Sequence, residues 1–233
     1  YLDEKILKVI IPELSAPALQ AAKPVVDACP AGTEDLPVRW AALLMSLGED
    51  GTRKALKRLR CSNTCIEQTA VLVRGMGGSG GRFLLGHEKG HSITLPTACG
   101  SRVPPQRTVL GETSTAPGQA PAAHDTAIRI RKLLGRYDLH TVQRLAALGA
   151  AMEPERAADF AAQAELAAQL DADGVCCRVS QLAVNGRDLM AAGIPAGPGL
   201  RRTLEALLDA VIRGQLPNEQ QCLLDAAGQI SAS

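Results

Sequence analysis

The chain has 233 residues, enough for one large or two small domains with a sizeable core. It is 46% hydrophobic but only 2% aromatic, which excludes single-strand binders built on aromatic stacking platforms, and a net charge of +1 leaves bulk charge silent about partners. No run of 18 apolar residues occurs, so a membrane-spanning helix is excluded. No signal peptide is expected, and the opening Tyr1 reads as a processed chain or a fragment. Seven cysteines, an odd number without any C-x-x-C, read as reduced thiols of a cytoplasmic protein, not as a disulfide framework.

Residues 2–10 read as a short helix that ends before Pro12. A helix over 35–47 follows, with Asp35 as N-cap, Pro37 in the first turn and Gly48 as its stop. Two more are expected at 52–60 and 63–74, the second capped by Ser62 or Asn63. From 75 onward Gly, Pro, Ser and Thr dominate, and helical periodicity resumes at 126–135, 138–151 and 154–170. Shorter signals follow at 186–192, 200–213 and 218–228, with Gly214 as a stop and Asn218 as a start. Ala/Leu-rich runs favour helix throughout, so the expected class is all-α. The expected organisation is a helical body at 1–74, an irregular linker at 75–125, expected to be disordered, and a second helical part at 126–233.

Charge is unevenly spread. Residues 1–50 hold eight acids and four bases, whereas 52–144 hold fifteen bases and five acids. The densest basic stretch is 52–60, carrying Arg53, Lys54, Lys57, Arg58 and Arg60; a second, 128–136, carries Arg129, Arg131 and Lys132 and ends on Arg136. Apolar residues recur at near-helical spacing in both, which makes each an amphipathic helix with a basic outer face. Such a face suits phosphate contacts, or is simply a solvated surface. Residues 153–173, with six acids and one base, would repel nucleic acid.

Two motifs invite other readings. Gly75-Met76-Gly77-Gly78-Ser79-Gly80 spells G-x-G-x-x-G, but the segment before it reads as helix and no acid lies near position 100, so a dinucleotide site is not supported. His87-Glu88-Lys89-Gly90-His91 spells the zinc-hydrolase H-E-x-x-H, which requires a helix that Gly86 and Gly90 weaken. A polar loop is the competing reading there.

The tail is more specific. Asn185-Gly186-Arg187-Asp188-Leu189 leads through Gly193-Ile194-Pro195-Ala196-Gly197-Pro198 to Leu204-Glu205-Ala206-Leu207-Leu208 and Gly214-Gln215-Leu216-Pro217-Asn218. This resembles the C-terminal tail of bacterial CCA-adding tRNA nucleotidyltransferases. Upstream, Ile11-Pro12-Glu13-Leu14, Leu36 to Leu44, Leu56 to Asn63 and residues 128–149 resemble the HD-like body of that family. The departures are informative. The family's metal-binding His-Asp pair is replaced by Met45-Ser46, so the body is degenerate and no phosphohydrolase metal site is expected. Asp171-Ala172-Asp173 has no glycine-rich phosphate loop ahead of it and reads as a polar helix end, so the catalytic head of the family is expected to be missing or separately encoded.

The resemblance implies tRNA as partner, bound by shape and charge through the two basic stretches and through Asn185, Gly186, Arg187, Gly197, Pro198, Gly199, Arg201 and Arg202. Arg201 and Arg202 in a first helical turn oppose the macrodipole, which favours an anion nearby. Addition of C, C and A from CTP and ATP with Mg²⁺ is implied for an intact member. For this chain no catalysis and no cofactor are expected. A non-catalytic helical remnant or scaffold is the alternative, and a zinc hydrolase a remote one.

Overall fold

The structure is a computed structural model and describes residues 9–32, 34–77 and 120–231. The described residues are helical, with no strand among them. The helices are α1 (Ala16–Ala28), α2 (Leu36–Leu44), α3 (Gly48–Arg58), α4 (Asn63–Gly77), α5 (Ala120–Arg136), α6 (Leu139–Met152), α7 (Ala157–Ala172), α8 (Gly186–Ala191), α9 (Pro198–Ile212) and α10 (Gln220–Ser231). Short 3-10 turns stand at Met45–Leu47, Pro154–Arg156 and Val179–Gln181.

The chain divides into two units, one drawn from residues 1–88 and 137–169, the other from 89–136 and 170–233. This differs from a split at 75–125. Residues 137–169 pack with the N-terminal helices, because α6 presents Val142, Leu145, Ala146 and Leu148 as a buried face. The expected linker is helical at both of its ends, at Gly75–Gly77 and from Ala120; residues 78–119 lie outside the described residues, and with them the H-E-x-x-H segment and most of the G-x-G-x-x-G segment.

In the first unit, Ile11, Leu14, Leu44, Ala55, Leu56 and Ile66 form a buried cluster. Each fully buried leucine or isoleucine contributes about 1.5–3 kcal/mol. Helix α1 was not legible in the sequence. Ser15 caps it, accepting a hydrogen bond from the Ala18 N–H at 3.4 Å, and Pro17 occupies its first turn, while Pro24 lies inside it. The expected helix over 35–47 is α2 followed by a 3-10 turn. Asp35 makes no capping hydrogen bond, contrary to expectation, since its backbone (φ −90°, ψ 2°) is not the extended conformation a side-chain cap needs. Gly48, at φ +68°, turns the chain directly into α3. Ser62, not Asn63, caps α4: its Oγ accepts from the Cys65 N–H at 3.3 Å.

Gly75 belongs to a packed helix and not to a phosphate loop; a Cβ there would lie 2.8 Å from Leu145 Cδ2 on α6. Asp138 caps α6, accepting from the Thr141 N–H at 3.2 Å and the Thr141 hydroxyl at 2.7 Å. Pro154 opens the 3-10 turn ahead of α7, as its fixed φ suits. Asp171 stands in the last turn of α7, and Asp171 and Asp173 are both exposed.

The second unit is centred on Leu182, Val184, Leu189, Ile194, Leu207 and Leu223, with Ala226 and Ala227 of α10 closing the cluster.

Candidate nucleic-acid interface

The tail's turns are built by side chains that satisfy backbone groups. Asn185 Oδ1 accepts from the Arg187 and Asp188 N–H groups at 2.8 and 3.3 Å, and Asp188 Oδ2 accepts from the Asn185 N–H at 2.9 Å. This reciprocal box starts α8. Gly193 and Gly197, at φ +94° and +151°, take conformations that side chains disfavour, and between them Ile194 is sunk into the core. Pro198 then opens α9, slightly ahead of the expected start near Gly199-Leu200.

Asn218, expected to start the last helix, does something else. Its Oδ1 accepts from the Ala183 N–H at 2.8 Å and its Nδ2 donates to the Gln181 carbonyl at 3.0 Å, while α10 begins at Gln220. Gln181 in turn uses Oε1 to accept from the Cys177 and Arg178 N–H groups, at 2.8 and 2.9 Å. The irregular segment 175–185 is thereby pinned, with the Cys177, Arg178 and Ala183 N–H groups and the Gln181 carbonyl satisfied by side chains.

This pinning shapes an open cleft of about 800 Å³ between α5, the Val179–Gln181 turn and α9. Lys132, Arg136, Arg178 and Arg201 bring positive charge to its walls; Glu205 and Asp209 bring negative charge. Lys132 Nζ lies 2.6 Å from Asp209 Oδ1, and Arg213 Nε lies 2.6 Å from Oδ2 of the same carboxylate. Partial burial pushes the Asp209 carboxyl up, but the two cations together outweigh it and hold it below the usual carboxylate range. Arg178 Nε donates to the Leu134 carbonyl at 3.3 Å, and Arg201 Nε pairs with Glu205 Oε1 at 2.8 Å on an exposed face. Burial pushes the Cys177 thiol up, against the pull of Arg131 and Arg178. It is therefore a thiol and not a nucleophilic thiolate.

The other residues singled out in the sequence divide sharply. Arg53 is committed to Glu49 and Glu67, and Arg58 reaches both Glu13 oxygens, at 2.6 and 2.8 Å, and the Ile10 carbonyl at 2.9 Å. Lys54, Lys57 and Arg60 are exposed, Arg60 in a left-handed turn at φ +56°. Arg129 donates to the Thr126 hydroxyl at 2.8 Å, and Arg131 turns inward to donate to the Ile212 carbonyl at 3.2 Å. Arg187 and Arg202 are exposed. The structure therefore brings Lys132 and Arg201 to one cleft, each paired with an acid on its wall, and spends Arg53, Arg58 and Arg131 on contacts elsewhere. Asn185, Gly186, Gly197, Pro198 and Gly199 belong to the turn scaffold. Arg136, at the end of the second basic stretch, joins Lys132 and Arg201; Arg178, which completes the cleft, was missed. Arg178 lies 46 residues from Lys132 in an aperiodic stretch, so only tertiary structure unites them.

The described residues do not assemble a metal site. Among the described residues no three His, Cys, Asp or Glu side chains gather into a group able to hold an ion. The turn holding Met45 and Ser46 lines a groove of about 240 Å³ with Ala18, Ala22, Val25 and Met152, which offers no charged ligand. Among the described residues, no helix is long and apolar enough to cross a membrane.

Residues 136–227, which contain most of this cleft, match the tRNA nucleotidyltransferase domain 2 family. The chain is also 46% identical over 50 residues to the CCA-adding enzyme of Limosilactobacillus fermentum. That stretch is 22% of this chain and 12% of the relative's length. Both findings support the resemblance to the C-terminal region of CCA-adding enzymes. No solved structure matches the chain.

Proposed function

We propose that this chain is the tRNA-binding body and tail of a CCA-adding tRNA nucleotidyltransferase, with the second unit's cleft as its RNA contact. The observation that carries the reading is the convergence of Lys132, Arg136, Arg178 and Arg201 on one open cleft, within or beside the segment that matches the family. The four cations on the cleft's walls exceed its two acids, Glu205 and Asp209, an excess that favours phosphates, and a chain that is only 2% aromatic reads shape and backbone, not bases. The reaction served is addition of C, C and A to the tRNA 3′ end from CTP and ATP with Mg²⁺. No described residue of this chain is assigned a catalytic part in it.

A helical scaffold without RNA contact is the second reading. It is favoured in the first unit, where Arg53 and Arg58 neutralise neighbouring carboxylates.

The test is tRNA binding by the full chain at about 50 and 200 mM salt, with double-stranded DNA as competitor. Affinity that falls steeply with salt yet survives the DNA is the expected result. No binding at the lower salt overturns the reading.

A further inference from the structure

Within the first unit a pocket of about 390 Å³ is lined by Glu34, Ser62, Thr64, Gln68, His140 and Arg144, among others. Arg144 is the unusual member. It is only 8% exposed, and its guanidinium always carries charge. Burying a charge costs several kcal/mol unless it is paired, by about the rule for isolated ions in proteins. Yet no described carboxylate lies within the 4.0 Å of an ion pair. One nitrogen, Nη2, donates to the Glu34 carbonyl, and Nε is buried without any hydrogen-bond partner. The Glu34 side chain itself is exposed and unpaired with it.

The surroundings add positive potential. Helix α4 starts at this pocket, and its 15 residues align their peptide dipoles with the positive end at Asn63. Ser62 Oγ takes the Cys65 N–H, which leaves the N–H groups of Asn63 and Thr64 without an intrahelical acceptor. His140 stands one turn before Arg144 on α6, at the exposed edge.

We infer that this pocket binds a phosphate group, whose negative charge is the counter-ion that Arg144 lacks. The planar guanidinium fork and the free helix N–H groups both match phosphate oxygens, and Ser62, Thr64 and Gln68 supply further donors. Phosphate could reach the pocket free in solution or carried on an RNA strand.

The test is a titration of the isotope-labelled full chain with inorganic phosphate, read by NMR at the Arg144 Nε–H and the Asn63 and Thr64 amides. The expected result is a saturating shift of all three in the low millimolar range, absent with chloride at equal ionic strength. A linear response, or an equal response to chloride, overturns the inference. Arg144→Met is expected to weaken phosphate binding by about tenfold or more while circular dichroism stays helical. A folded R144M that binds as the parent does overturns it. If R144M does not fold, His140→Ala decides: a loss of about threefold supports the site, and unchanged affinity overturns it. An unlabelled RNA duplex added at phosphate saturation separates the sources of this ligand. Displacement at the same three resonances supports phosphate carried on RNA, and persistence supports free phosphate.

Discussion

Gly135 in the last turn of α5 lies directly against the Cys177 carbonyl: a Cβ on Gly135 would sit 2.4 Å from that oxygen. The atom in the way is backbone, held in place because Gln181 Oε1 binds the Cys177 N–H at 2.8 Å. Gly135→Ala therefore cannot be absorbed by a rotamer change. Overpacking of this kind costs about 1–3 kcal/mol, and the better helix propensity of Ala returns about 1 kcal/mol. The expected net is a loss of up to about 2 kcal/mol, read as a lower urea midpoint. Because Gly135 and Cys177 both line the cleft, the variant should also bind tRNA more weakly than its stability alone explains. A variant as stable as the parent would mean that the close approach is not required.

Asn218 gives a second test of how the cleft is held. Its two hydrogen bonds, to the Ala183 N–H and the Gln181 carbonyl, span 35 and 37 residues of chain. Asn218→Ala removes both, and Asn218→Asp keeps the acceptor but loses the donor. At about 0.5–1.5 kcal/mol per bond, N218A should lose about 1–3 kcal/mol and N218D roughly half of that. Equal effects of the two variants in urea unfolding would show that the paired geometry contributes nothing.

What the sequence made legible is what periodicity encodes. Gly48 and Gly214 mark real boundaries, both at positive φ, and the reading of 63–74 as helix holds to Gly77. Helix α1 is hidden because Pro12, Pro17 and Pro24 interrupt the local helical pattern, although Pro17 sits in the first turn, where a missing N–H costs nothing. Asn185 and Asn218 show a different limit. Both carry donor and acceptor atoms that suit RNA, yet one closes a capping box and the other staples two loops. Local pattern cannot distinguish these uses, because the partners of Asn218 are fixed only once the tail has folded. The same holds for the basic helices. The charge count for 52–60 is correct, but the acids that neutralise Arg58 and Arg53 lie outside that stretch: Glu13 and Glu67 in other elements, and Glu49 at the start of the same helix.

Asp209 makes stability depend on pH in a defined direction. Its folded pKa lies below its ordinary value, so its contribution is complete above the unfolded value of about 3.9 and is lost as pH falls through the lower folded one. The group is 39% exposed, which limits the effect to that of a partly solvated ion pair. Asp209→Asn should destabilise by about 0.5–1 kcal/mol near neutrality. The difference between parent and variant should shrink as pH falls below about 4, first because Asp209 of the unfolded parent takes up a proton there and then because the folded one does. Urea unfolding across this range checks it; a difference that does not change with pH would remove the Lys132–Asp209–Arg213 arrangement as its cause.

The cleft itself is tested by charge removal at its rim. Arg136→Gln with Arg201→Gln deletes two exposed cations from positions where neither contributes to the buried core. Each lost phosphate contact should lower the slope of log affinity against log salt by about 1, so the double variant should show a slope smaller by about 2. Lys54→Gln with Lys57→Gln removes the same charge from the exposed face of α3 in the first unit, beside the ion-paired Arg53 and Arg58. Both pairs change net charge equally, so a nonspecific electrostatic effect would weaken tRNA binding equally in the two. A shape-reading contact at the cleft predicts a loss of about tenfold at about 100 mM salt for R136Q/R201Q, against less than about threefold for K54Q/K57Q. The reverse order would move the RNA contact to the first unit and leave the second unit's cleft as a structural feature of the tail.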